Sequence, residues 1–85
     1  MIAIITGGSL GIGKVTALAL AQEGAQVAIC ARGIDALQES AREIHATGNK
    51  VLPIRADMTS LDDIKHLVAT TAQELGGIDI LVLQW

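Results

Sequence analysis

Residues 2–13 read Ile2-Ala3-Ile4-Ile5-Thr6-Gly7-Gly8-Ser9-Leu10-Gly11-Ile12-Gly13. Four consecutive apolar residues, three of them β-branched, have the pattern of a strand buried on both faces rather than the alternation of a half-exposed one. Glycines end the run, and from Gly11 the apolar residues take up helical spacing. A strand that passes through a glycine turn straight into a helix is the first half of a parallel βαβ unit. This junction decides the fold class, because the same succession repeats to the end of the chain.

Three further apolar runs follow: Val27-Ala28-Ile29-Cys30, Val51-Leu52-Pro53-Ile54 and Ile78-Asp79-Ile80-Leu81-Val82-Leu83. Pro53 lacks a ladder donor, which predicts that the third strand lies at a sheet edge. Between the runs lie three helical segments. The first runs from about Gly11 to Glu23, with Ile12, Val15, Leu18 and Ala19 as its expected apolar stripe, and ends at Gly24. The second carries Ile34, Leu37, Ala41 and Ile44 on one stripe, keeps Asp35, Glu39, Arg42 and Glu43 off it, and closes at Gly48. Ser60 and Asp63 form a capping box at the head of the third, which continues through Leu61, Ile64, Leu67, Val68 and Leu75 to Gly76-Gly77. The order β-α-β-α-β-α-β with short loops predicts an α/β fold whose strands pair in parallel through right-handed crossovers.

The composition sets limits. Eighty-five residues make one small domain, and a chain of this size buries only about 60–65% of the surface it exposes when unfolded. Six Lys+Arg against nine Asp+Glu give a net charge of −3, with the signs interspersed, so neither nucleic acid nor an anionic membrane is an expected partner. The single cysteine points to a reducing compartment, most simply the cytoplasm. No run approaches the roughly 18–20 apolar residues of a membrane span, and the start lacks the basic flank of a signal peptide. With no tyrosine in the chain, no phenol can act as acid or base.

Chemistry is concentrated in Thr6-Gly7-Gly8-Ser9-Leu10-Gly11-Ile12-Gly13. Glycines between a strand and a helix satisfy the structural test of a dinucleotide loop. Gly7 allows a tight turn, Gly11 lets backbone approach a pyrophosphate, and Gly13 lets the helix pack close to the sheet. The helix's unpaired N–H groups and positive dipole end then face the diphosphate. The plainer alternative is an ordinary glycine-rich βα turn.

The spacing Thr-Gly-x-x-x-Gly-x-Gly resembles the short-chain dehydrogenase/reductase (SDR) family, and the resemblance extends over residues 2 to 82. Leu20-Ala21-Gln22-Glu23-Gly24-Ala25-Gln26-Val27 looks like that family's passage from first helix to second strand, and Gly77-Ile78-Asp79-Ile80-Leu81-Val82 like its lead-in to the fourth. By resemblance, Asp57 hydrogen-bonds the adenine amino group and Met58 offers its backbone N–H to the ring. Thr6, Gly7, Ser9, Gly11, Ile12 and Gly13 form the rest of the implied cofactor-binding set. The implied architecture is a truncated Rossmann-type doubly wound parallel sheet of strand order 3-2-1-4, a single partial dinucleotide-binding domain over residues 1–85.

Cofactor choice is read at the end of the second strand. An NAD enzyme places an acid there to bind both ribose hydroxyls, a charge that repels a 2′-phosphate. Here the position is Ala31, followed by Arg32, whose guanidinium could pair a phosphate bidentately. The pattern resembles the NADP(H)-preferring members; otherwise Arg32 is a solvated surface charge. Lys14 is less persuasive, because the family's additional basic residue falls inside the glycine segment. His45 and His66 read as solvated, Cys30 as a small buried apolar residue, Asp62 and Asp63 as first-turn helix acids, and Asp79 as the residue that turns the chain into the fourth strand. No metal site is expected. A methyltransferase's glycine loop would leave Arg32 and Asp57 together unexplained.

Where the family continues into Asn-Asn-Ala-Gly, this chain has Leu83-Gln84-Trp85. The family's catalytic serine, tyrosine and lysine fall beyond that point. The expectation is therefore the NADP(H)-binding portion of a reductase, inactive alone, with no catalytic residue of its own. A fourth strand left at the edge would self-associate or pair with a full-length relative. The alternatives are a stand-alone nucleotide-binding or interaction module, and an enzyme completed in trans by a chain carrying the missing tyrosine and lysine.

Overall fold

The computed structural model describes residues 1–7 and 11–82. In chain order its elements are β1 (Ile2–Thr6), α1 (Gly11–Gln22), β2 (Gln26–Ala31), α2 (Ile34–His45), β3 (Val51–Arg55), α3 (Leu61–Leu75) and β4 (Ile80–Val82). The four strands form one parallel sheet in the order β3-β2-β1-β4. Pro53 accordingly sits on an outer strand, opposite Ile29.

The inner strands are buried as their sequence requires. Ala3, Ile4, Ile5, Val27, Ala28, Ile29 and Cys30 have no exposed surface, and each large aliphatic among them contributes about 1.5–3 kcal/mol by leaving water. Alternation sends Ile5, Val27 and Ile29 to the face covered by α1 and α2. Ile4, Ala28 and Cys30 face the opposite side, where Leu67 and Leu75 of α3 cover them.

Helix ends follow the sequence signals. Gly24, at φ 95°, closes α1: its N–H donates to the Ala21 carbonyl, and the Ala25 N–H reaches back to Leu20. Asn49 donates its side-chain amide to Ala21 as well. Gly76, at φ 91°, does the same for α3, donating to Ala72. Ser60 caps α3 by accepting the Asp63 N–H at 3.3 Å.

Several expectations are corrected, including parts of two stripes: Ile34 of α2 and Leu61 and Val68 of α3 are exposed, while Leu37, Ala41, Ile44, Leu67 and Leu75 are buried. The buried face of α1 is Gly13, Ala17 and Ala21, while Ile12 and Val15 are 75% and 66% exposed. Small residues at every fourth position let the helix approach the sheet closely, and this turns the larger aliphatics outward. β4 begins at Ile80 rather than Ile78, which is exposed. Asp79 delays it: its carboxylate accepts the Ile2 N–H at 2.8 Å and its own N–H donates to the Ile2 carbonyl at 2.8 Å, so Asp79 does turn the chain into β4. The Leu83 end of the expected strand lies outside the described residues.

Candidate functional site

The loops that follow β1, β2 and β3 all leave from the carboxyl ends of parallel strands, the end at which open α/β sheets bind ligands. Gly7 leaves β1 at φ 70°, with its N–H donated to the Cys30 carbonyl at 2.9 Å, so the first turn is tied to β2. Gly11 begins α1 at φ 58°, and a Cβ added there would meet no heavy atom within 4 Å. The requirement for glycine is thus conformational rather than steric. Gly13 is buried on the sheet side of α1. Ile12 shares the exposed first turn, which carries no acidic residue, unlike those of α2 and α3. Ser9 lies outside the described residues.

Thr6 is buried at the end of β1, and its hydroxyl donates to the Val82 carbonyl at 3.4 Å, linking β1 to β4 where the glycine turn begins. Lys14 forms an ion pair with Glu43 at 2.6 Å that ties α1 to α2 and occupies its charge. Cys30 is a free, buried thiol whose Sγ contacts Met58 Sδ at 3.9 Å. Burial pushes its pKa above the ordinary thiol value, against a smaller opposing pull from the Gly7 N–H. Such a thiol is inert, and the contact seats Met58 against the α3-side core.

The loop from β3 to α3 carries a connected set of polar contacts. Asp57 Oδ1 accepts the Thr59 N–H at 2.9 Å and the Thr59 hydroxyl at 2.7 Å. Its backbone N–H donates to Asp63 Oδ2 at 2.8 Å. The Thr59 hydroxyl, then the Thr59 N–H, and then the charges of Arg32 and Arg55 hold the Asp57 carboxyl below its usual value of 3.8. Asp57, Arg32 and Arg55 are thereby gathered at the ends of β2 and β3.

Three participants escaped sequence reasoning. Thr59 was legible, since Asp-x-Thr is an Asx-turn spacing. Asp63 reads in sequence as the capping-box partner of Ser60 and as a first-turn acid; its N–H does donate to Ser60, but its carboxylate accepts the Asp57 N–H. Arg55 drew no attention because its neighbours in space come from β2. His45 and His66 are exposed, and among the described residues no group of three or more His, Cys, Asp or Glu is gathered to hold a metal. Among the same residues no helix is long and apolar enough to cross a membrane.

A family model described as short chain dehydrogenase matches residues 1–84. The chain belongs to the short-chain dehydrogenase family. A glycine betaine reductase of Emericella nidulans is 44% identical over 81 residues, which cover 95% of this chain and 6% of that protein. Among solved structures of short-chain dehydrogenases, one from Mycobacterium marinum is 54% identical with TM-score 0.90, over 94% of this chain and 32% of that one. L-Sorbose reductase from Gluconobacter frateurii, solved with NADPH and L-sorbose, is 36% identical with TM-score 0.94, over 99% of this chain and 32% of that one. The chain therefore spans about a third of these two short-chain dehydrogenase structures. It has their α/β sheet order and belongs to an oxidoreductase family that binds dinucleotides.

Proposed function

We propose that this chain supplies the adenosine-diphosphate half of an NADP(H) site in a cytoplasmic short-chain reductase. The observation that carries the reading is the end of β2, where Ala31 replaces the acid of an NAD site and the exposed Arg32 follows it. The positive φ of Gly11 and the acid-free first turn of α1 fit a diphosphate. Asp57, its Oδ1 saturated by Thr59, directs its remaining oxygen to the adenine amino group, and Met58 offers its N–H to the ring. The L-sorbose reductase complex with NADPH supports this assignment by similarity.

When bound, the nicotinamide exchanges a hydride with a carbonyl or alcohol carbon. That exchange needs a proton donor at the substrate oxygen. Without a tyrosine among the 85 residues, the chain alone binds the cofactor without turning it over. Titration with NADPH, NADH and 2′-phospho-ADP-ribose tests the reading. NADPH and 2′-phospho-ADP-ribose should bind more tightly than NADH. Tighter binding of NADH refutes the NADP(H) preference, and no binding at roughly millimolar ligand reduces the claim to shared ancestry.

A second reading draws on β4, whose Leu81 is 51% exposed at the outer edge of the sheet. The chain acts as a module that pairs this edge with another copy or with a full-length relative. Co-purification of a reductase subunit with the tagged chain favours that role.

A further inference from the structure

Arg55 ends β3 directly beside Ala31, its register partner on β2. The Ala56 N–H donates to the Ala31 carbonyl at 3.1 Å, so the pairing continues past the strand end. Ala31 and Val51 pack on the α1/α2 side of the sheet, whereas Ile54 packs on the α3 side. Alternation therefore places Arg55 on the same face as Ala31. Neighbouring strands lie about 4.8 Å apart, well within the length of an arginine side chain.

The Ala31 methyl leaves room at the position where an acid would bind the ribose. Arg32 follows it in sequence, and Arg55 flanks it in space. Both arginines are exposed, and among the described residues neither closes an ion pair, that role being taken by Lys14 with Glu43. Both charges help to lower the Asp57 carboxyl below its ordinary value, so both act on the loop that leaves β3. Asp57 offers these two cations a single negative charge, and a dianion between them offsets the repulsion that remains.

We infer that Arg55 is a second determinant of cofactor choice, forming with Arg32 a two-guanidinium cradle for the phosphomonoester on the adenosine 2′ position. The inference rests on the NADP(H) reading and extends it to a residue from a different strand. A phosphomonoester presents three oxygens and so accepts from two planar forks at once, which a single arginine cannot saturate.

The test compares adenosine 2′,5′-bisphosphate with adenosine 5′-monophosphate by calorimetric titration of the chain. Arg55→Gln should weaken the bisphosphate by about tenfold, the loss of one charge-assisted bond, and leave the monophosphate unchanged. Arg55→Lys should recover part of that loss. Because Arg55 is exposed, circular dichroism should show the fold intact in both variants. If Arg32→Gln weakens the bisphosphate and Arg55→Gln does not, the Arg55 inference is overturned while the NADP(H) reading stands. If the unaltered chain binds both ligands equally, the NADP(H) reading fails and the role of Arg55 fails with it. Equal loss of both ligands in Arg55→Gln marks a structural effect and also overturns the inference.

Discussion

Replacing Asp63 with alanine removes the carboxylate oxygen that accepts the Asp57 N–H at 2.8 Å. A hydrogen bond to a charged acceptor contributes about 1.5–3 kcal/mol, and Asp63 is only half-buried, which favours the lower end. Loss of a first-turn acid from α3 adds about 0.3–1 kcal/mol through the helix dipole. The expected destabilisation is therefore about 2 kcal/mol. Its neighbour Asp62 provides an internal control, because it is exposed, shares the first turn and has no such bond among those described. Asp62→Ala should cost only the dipole share, about 0.3–1 kcal/mol. Asp63→Asn keeps an acceptor and should fall between the two. Urea unfolding followed by circular dichroism gives these differences as midpoint shifts at constant slope. Hydrogen exchange gives a local readout, since the Asp57 amide should lose protection in Asp63→Ala and retain it in Asp62→Ala. Equal destabilisation by the two alanine variants would refute the reasoning, because it would leave Asp63 as a dipole residue and nothing more.

Two more outcomes are expected. The Asp57 carboxyl should titrate below 3.8 in carbon-detected nuclear magnetic resonance, and Thr59→Val should move it back toward that value by removing the strongest stabilising hydrogen bond. Because the folded-state pKa is the lower one, the stabilisation is present above pH 3.8 and lost as pH falls through the depressed folded value. A folded-state pKa at or above 3.8 contradicts this account. At the sheet's outer edge, size-exclusion chromatography at micromolar concentrations should show self-association that Leu81→Lys suppresses, since charge on an exposed edge strand opposes pairing. A protease-resistant monomer at every concentration rules out the exposed edge as an association surface.

Much of the fold was legible because it is governed by local rules. Buried parallel strands require continuous β-branched runs, and Gly24 and Gly76 stop helices by adopting positive φ. Pro53 declared an outer strand because it cannot donate to a neighbour. The first helix was misread for a reason that hydrophobicity does not carry. Ile12 and Val15 are more apolar than Gly13 and Ala17, yet the small residues face the sheet. Backbone proximity, rather than side-chain transfer energy, selects that face.

The site divides along the same line. In the proposed cofactor site, glycine spacing, Arg32 and Asp57 can be read from sequence, because each would act through its own backbone conformation or its own charge. Asp63 and Arg55 acquire their parts only when the chain is folded. The Asp63 carboxylate accepts the Asp57 N–H once the loop from β3 has closed onto α3. Arg55 stands beside Ala31 only through the β2–β3 register, a long-range pairing that no local pattern encodes. The sequence by itself thus determined the alternation of elements, the glycine loop and the want of a phenol for proton transfer. Only the tertiary structure decided which charges share a site, because electrostatic interaction depends on separation in space and not along the chain.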